Sequence, residues 1–99
     1  MERYNDQVVE HMLRNYTSLS QLKDAEFLSY KMDLDKALKR LRHFSRNLHD
    51  AVVGVFILGN PIHEQAAIQK VSKRQTIRRL NDGVHMLTMI MNGDFNEAS

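Results

Sequence analysis

No glycine or proline occurs before Gly54, and the only proline of the chain is Pro61. These are the two residues that most readily interrupt a helix, one by its backbone freedom and the other by its missing N–H. Aromatic and β-branched residues are sparse in the same stretch and do not alternate, so the period-two signature of a strand is absent. The chain is therefore expected to be all-α, a small helical bundle. At 99 residues it is long enough for one domain and one modest core, and short for an enzyme with a deep cleft.

Apolar residues at spacings of three and four place the helices. Tyr4 to Tyr16 reads as a first helix, with Val8 or Val9, Met12 or Leu13, and Tyr16 on one face. A break is expected at Asn15–Ser18, with Thr17, Ser18 or Ser20 capping the next helix. From Leu19 the pattern runs on through Phe27, Tyr30, Leu34, Leu38, Leu41 and Phe44, widened by Leu22, Ala25, Leu28 and Met32. This is either one helix to about Arg46 or two, the second capped by Asp33. Paired with the first helix it makes a hairpin or a dimer seam. Residues 1–46 are thus read as an N-terminal helical part. Ser45-Arg46-Asn47 offers the next cap, and Leu48–Leu58 carries Leu48, Val52, Val55 and Phe56 on one side. Val52–Ile57 taken alone would pass for a buried strand, but no partner strand exists. Gly59-Asn60-Pro61 ends that helix, since glycine suits a left-handed C-terminal position and proline cannot continue.

Pro61–Met91 then fits a short helix, a tight connection and a longer basic helix, the outline of a helix-turn-helix within residues 47–93. Ser72 is the expected cap of the second helix. Its apolar stripe runs through Thr76 or Ile77, Leu80, Val84, Leu87 and Met91. Lys73, Arg74 and Gln75 stand at its front, where this architecture reaches base edges, and Ser72, Arg78, Arg79 and Lys70 are placed to meet phosphates. The helix is expected to stop at Asn92-Gly93, leaving residues 94–99 as a frayed tail.

Leu48–Met91 resembles the region 4 helix-turn-helix of bacterial sigma factors, and is similar to the small ArpU-type late-gene activators of Gram-positive phages. Phe56–Gly59 matches the close of the leading helix in that pattern. Glu64 with Ala66 or Ala67 matches its acidic-start helix with a buried alanine. Val71-Ser72 matches the opening of the recognition helix, and Leu80, Val84 and Leu87 its later anchors. Three positions depart: Lys70 stands where glycine is usual, Gln69 where an apolar residue is, and Thr76 where an aliphatic anchor is, with Ile77 one step away. The resemblance covers under half the chain. It implies a DNA-binding transcription regulator, phage or prophage encoded, with double-stranded DNA and RNA polymerase as partners.

Charge is distributed unevenly. The net charge is only +2, yet Lys36–Arg46 holds five Lys/Arg and no acid, His63–Leu80 holds five against Glu64 alone, and the first 35 residues are net acidic. One basic face is implied. The absence of cysteine excludes disulfides and thiolate zinc sites. The histidines (His11, His43, His49, His63, His85) include no pair three or four apart, so neither a metal nor a cofactor is expected. Serines are explained as caps, Asp33 and Asp35 point to different faces, and no Gly-rich loop is present, so no enzyme is expected. Met86, Met89, Ile90 and Met91 make the end of the last helix apolar nearly all round, either as core or as a surface for a second copy or a polymerase component. The start of the chain lacks the apolar segment of a signal peptide, and Ala51–Leu58 is too short to span a bilayer. The expectation is a cytoplasmic homodimer with no membrane partner. The competing expectation is a helical module that engages polymerase or another regulator without reading DNA.

Overall fold

The computed structural model describes residues 4–21 and 25–94. These form α-helices and one π-helical segment, with no strand among the described residues: α1 (Asp6–Arg14), α2 (Tyr16–Gln21), α3 (Ala25–Phe44), α4 (Arg46–Val52), a π segment (Val53–Ile57), α5 (Ile62–Gln69) and α6 (Lys73–Met91). The chain is all-α.

Short polar side chains start three of the helices. Asn5 precedes α1 and its side-chain oxygen accepts the Val8 N–H at 2.8 Å. Ser45 caps α4 by accepting the Leu48 N–H at 3.2 Å, and Ser72 caps α6 by accepting the Gln75 N–H at 3.0 Å. Each bond satisfies a donor that has no partner inside its own helix. α4 passes into the π segment without a break, and the Leu58 N–H reaches back five residues to the Val53 carbonyl at 2.9 Å. Gly59, at φ 79°, then turns the chain out of the helix. Lys70 after α5 and Gly93 after α6 are also left-handed. Both of these close a six-residue return: Val71 N–H to Ala66 O at 3.0 Å, and Asp94 N–H to Met89 O at 2.9 Å.

α6 is the central element. α1, α3, α4 and α5 all pack on it, and α1 packs also on the π segment. One continuous core results. Leu13, Leu34, Leu41, Leu87, Val9, Val52 and Thr76 are its largest fully buried side chains. They come from α1, α3, α4 and α6, so no break in the core falls at residues 46–47. The start of the chain is fastened to the end of α6. Tyr4 donates its N–H to Asn92 Oδ1 and its carbonyl accepts from Asn92 Nδ2, both at 2.9 Å. Its hydroxyl donates to Asp33 at 2.8 Å, and its ring meets Tyr30 edge-on at 6.3 Å.

Several sequence expectations are corrected. Tyr4 lies ahead of α1 as a core residue. Thr17, Ser18 and Ser20 lie inside α2, which starts at Tyr16 directly after the Asn15 turn, so the next helix begins ahead of all three. Asp33 does not open a second helix: α3 is continuous from Ala25 to Phe44, and the Asp33 carboxylate accepts from the Tyr4 hydroxyl. Leu22 lies outside the described residues. Leu28 and Met32 do not widen the core face but stand 37% and 57% exposed, as does Val8 at 43%, while Val9 is buried. α1 makes its main contacts with α6 and the π segment, so it is not the hairpin partner of α3. Residue 94 is held, its N–H bonded to the Met89 carbonyl at 2.9 Å; the rest of the expected tail, residues 95–99, lies outside the described residues.

The apolar end of α6 is chiefly core. Ile90 is buried, Met86 and Met91 pack against the core, and Met89 is half-buried. α1 and α3 both pack on α6, and Lys36, Ala37 and Arg40 of α3 share a shallow groove with Ile90 and Met91. Of the two readings of that end, core or partner surface, packing accounts for Ile90 in full and for Met86, Met89 and Met91 in part.

Candidate nucleic-acid interface at α5 and α6

α5 is joined to α4 and the π segment by amide side chains where apolar residues would be usual. Gln65 is buried; its Nε2 donates to the Asp50 carbonyl at 3.1 Å and its Oε1 accepts from Asn60 Nδ2 at 3.1 Å. Gln69 Nε2 donates to the Asn47 carbonyl at 3.1 Å, and its Oε1 is buried without a partner among the described residues. Gln65 fits because Gly54 lies against it: a Cβ there would overlap the Gln65 side-chain amide. Neither glutamine was marked by the sequence as structural. The available signal was Gly54 itself, a glycine inside an apolar helix, which often reports close approach of another group.

The turn is Lys70-Val71-Ser72, with Lys70 at φ 58°, ψ 44°. That conformation explains why glycine is favoured at such a position. Lysine occupies it here with the return hydrogen bonds intact.

The register of α6 is settled by burial. Thr76 is fully buried and its Oγ1 donates to the Ser72 carbonyl at 3.1 Å, whereas Ile77 is 46% exposed. Thr76, Leu80, Gly83, Val84 and Leu87 form the inward stripe. Gly83 allows α6 to approach α4, since a Cβ would stand 2.5 Å from Val52 Cγ2. With the stripe fixed, helical geometry sends Arg74 and Arg78, four apart, to the opposite side.

The residues singled out for DNA are placed consistently with one another. Lys70, Ser72, Lys73, Arg74, Gln75 and Arg78 are exposed, and Arg79 is partly exposed. Among the described residues, none of Lys70, Lys73, Arg74, Arg78 and Arg79 enters an ion pair. Their charge is therefore not cancelled locally. They surround the N-terminal end of α6, where the helix dipole also favours an anion. The Ser72 hydroxyl oxygen accepts the Gln75 N–H as the cap, and its own O–H still has a proton to donate to a phosphate.

Comparison with known protein families, curated proteins and solved structures finds no match to this chain. Among the described residues, no group of three or more His, Asp or Glu is placed to hold a metal ion, and no helix is long and apolar enough to cross a membrane.

Proposed function

We propose that the chain is a DNA-binding transcription regulator in which α5, the Lys70–Ser72 turn and α6 act as a helix-turn-helix, of the kind found in phage or prophage regulators. The supporting observation is the front of α6. Arg74, Gln75 and Arg78 are exposed on the side of the helix away from its buried stripe, Lys73 is exposed at the helix's first residue, and none of the three cations has an ion-pair partner among the described residues. A helix presented this way can enter a major groove without unfolding anything. In this reading Lys73, Arg74 and Gln75 meet base edges. Arg78, Arg79, Lys70 and Ser72 meet phosphates, which fix register. A single unit of this size gives limited specificity, so a homodimer belongs to the proposal. Leu28 and Met32, one turn apart and exposed on α3, are better placed for its seam than the buried end of α6.

The test is duplex binding by Arg74→Ala. Loss of a base contact costs about 1–3 kcal/mol on the preferred sequence and much less on random duplex. Equal losses on both would remove Arg74 from the reading set.

A second reading has its own support. Ile68 and Ile77 are 64% and 46% exposed within the same α5–α6 unit, an apolar provision that phosphate contact does not require. They fit a module that engages RNA polymerase or another regulator without touching DNA. Binding that weakens steeply with salt favours DNA, because counterions are released; binding insensitive to salt favours the protein module.

A further inference from the structure

A second basic surface lies at the junction of α3 and α4. Lys39, Arg42, His43 and Arg46 line a groove there, and no acidic residue lines it. Lys39, Arg42 and His43 follow the i, i+3, i+4 spacing that places side chains on one face of a helix. Arg46 joins them across the Ser45 break, where the chain leaves α3 and enters α4. No carboxylate occurs anywhere between Lys36 and His49. The nearest compensation is Asp50, 3.8 Å from Arg46, in a pair whose side chains are 71% and 48% exposed. Lys39, Arg42 and His43 have no ion-pair partner among the described residues and are exposed. Concentrating like charge this way is unfavourable for the folded chain alone, and its repulsion is relieved by a polyanion.

We propose that this groove is a second nucleic-acid backbone site, binding the phosphates of duplex DNA independently of the α6 front. Two features favour a nucleic acid over an anionic bilayer. Lys39, Arg42 and Arg46 place their cations along a concave groove, which converges on a narrow ridge of phosphates, whereas a flat membrane surface would touch only the rims. The groove is lined by Lys39, Arg42, His43 and Arg46; Phe44, next in the chain and 41% exposed, is not part of the lining, so no apolar wedge stands among the cations as it does on interfacial helices. Guanidinium groups add a planar fork matched to phosphate oxygens. The site carries no base-reading geometry, so it contributes affinity and salt dependence without sequence preference.

The experiment is a titration of the full chain against random-sequence duplex at several salt concentrations, using the wild type, the double variant Lys39→Gln/Arg42→Gln, and Arg74→Ala/Arg78→Ala. Retained helicity by circular dichroism confirms that the exposed substitutions leave the fold intact. If the groove binds phosphates, the slope of log affinity against log salt falls by about two for the groove variant. The wild-type loss of affinity between 50 and 200 mM salt then shrinks about tenfold. A groove variant with unchanged slope beside a weakened α6 variant overturns this site and leaves the α6 reading standing. A weakened groove variant beside an unchanged α6 variant supports the site and removes the α6 reading. Absence of duplex binding by the wild type at low salt overturns both. Vesicles of phosphatidylserine and phosphatidylcholine supply the remaining arm: wild-type binding to them at least as strong as to duplex, with the same loss in the groove variant, assigns the surface to anionic lipid and overturns the nucleic-acid proposal.

Discussion

Lys70 holds a left-handed backbone at φ 58°, a conformation that costs a residue with a Cβ about 1–2 kcal/mol relative to glycine. Part of that relief is offset because glycine frees the unfolded chain. Lys70→Gly is therefore expected to stabilise the protein by about 0.5 kcal/mol, raising Tm by roughly 2–4 °C. Lys70→Val should lower Tm, and a thermal melt of the two variants that gave the same sign would refute the strain argument. Tyr16 offers a second residue-level test. Its hydroxyl donates to Asp35 Oδ1 at 2.6 Å, and that bond, with burial and the neighbouring negative charge, pushes its pKa up to about 12 from an ordinary 10. Because the folded value lies above the unfolded one, the contribution is present in full below pH 10 and is lost as pH rises through 12. Ultraviolet titration should show a tyrosinate component near pH 12 that is lost in Tyr16→Phe. If that signal persists in the variant, the assignment to Tyr16 fails.

The crossing of α4 and α6 depends on Gly83. Replacing it by alanine improves helix propensity by about 1 kcal/mol, but the new methyl meets Val52, a fully buried and β-branched side chain that cannot rotate away. Overpacking costs about 1–3 kcal/mol, so a net loss is expected. Urea unfolding of Gly83→Ala, Val52→Ala and the double variant checks the cause. The double variant should be more stable than the two losses added together predict, and simple additivity would show that the two side chains do not collide. The α6 N-terminus has its own determinant in Ser72, whose side chain bonds the Gln75 N–H. Ser72→Ala should cost about 1 kcal/mol in the same urea measurement, whereas Ser72→Asp should retain the cap.

At the scale of the molecule, α6 is covered by helices from the start and the middle of the chain. Val9 and Leu13 of α1, Leu34 and Leu41 of α3, Val52 of α4 and Leu87 of α6 belong to one core. Unfolding should then be a single cooperative transition, with circular dichroism and tyrosine fluorescence giving the same midpoint. A fragment of residues 47–99 should not fold alone, because it would expose the inner side of α6. Separate transitions, or a folded fragment, would show that the N-terminal part is an independent unit. Charge is organised at the same scale: the α6 front and the α3–α4 groove each present uncompensated cations on a chain whose net charge is only +2.

The sequence by itself determined local features. Helical character came from the scarcity of glycine and proline. The Ser45 and Ser72 caps came from side chains that bond their own backbone, and the stops at Gly59 and Gly93 from residues that tolerate a left-handed conformation. Periodicity named most of the core, because a stripe at spacings of three and four has to be covered by something. The covering neighbour was decided only in three dimensions. Thr76 took the core position over Ile77 because its hydroxyl is satisfied by the Ser72 carbonyl one turn back. The α6 end became core because α1 and α3 both close on that helix. Gln65 became structural because Gly54 leaves room for it. Leu28 and Met32 stayed exposed although they are apolar. Periodicity shows that a face is apolar, but only packing shows which neighbour removes it from water.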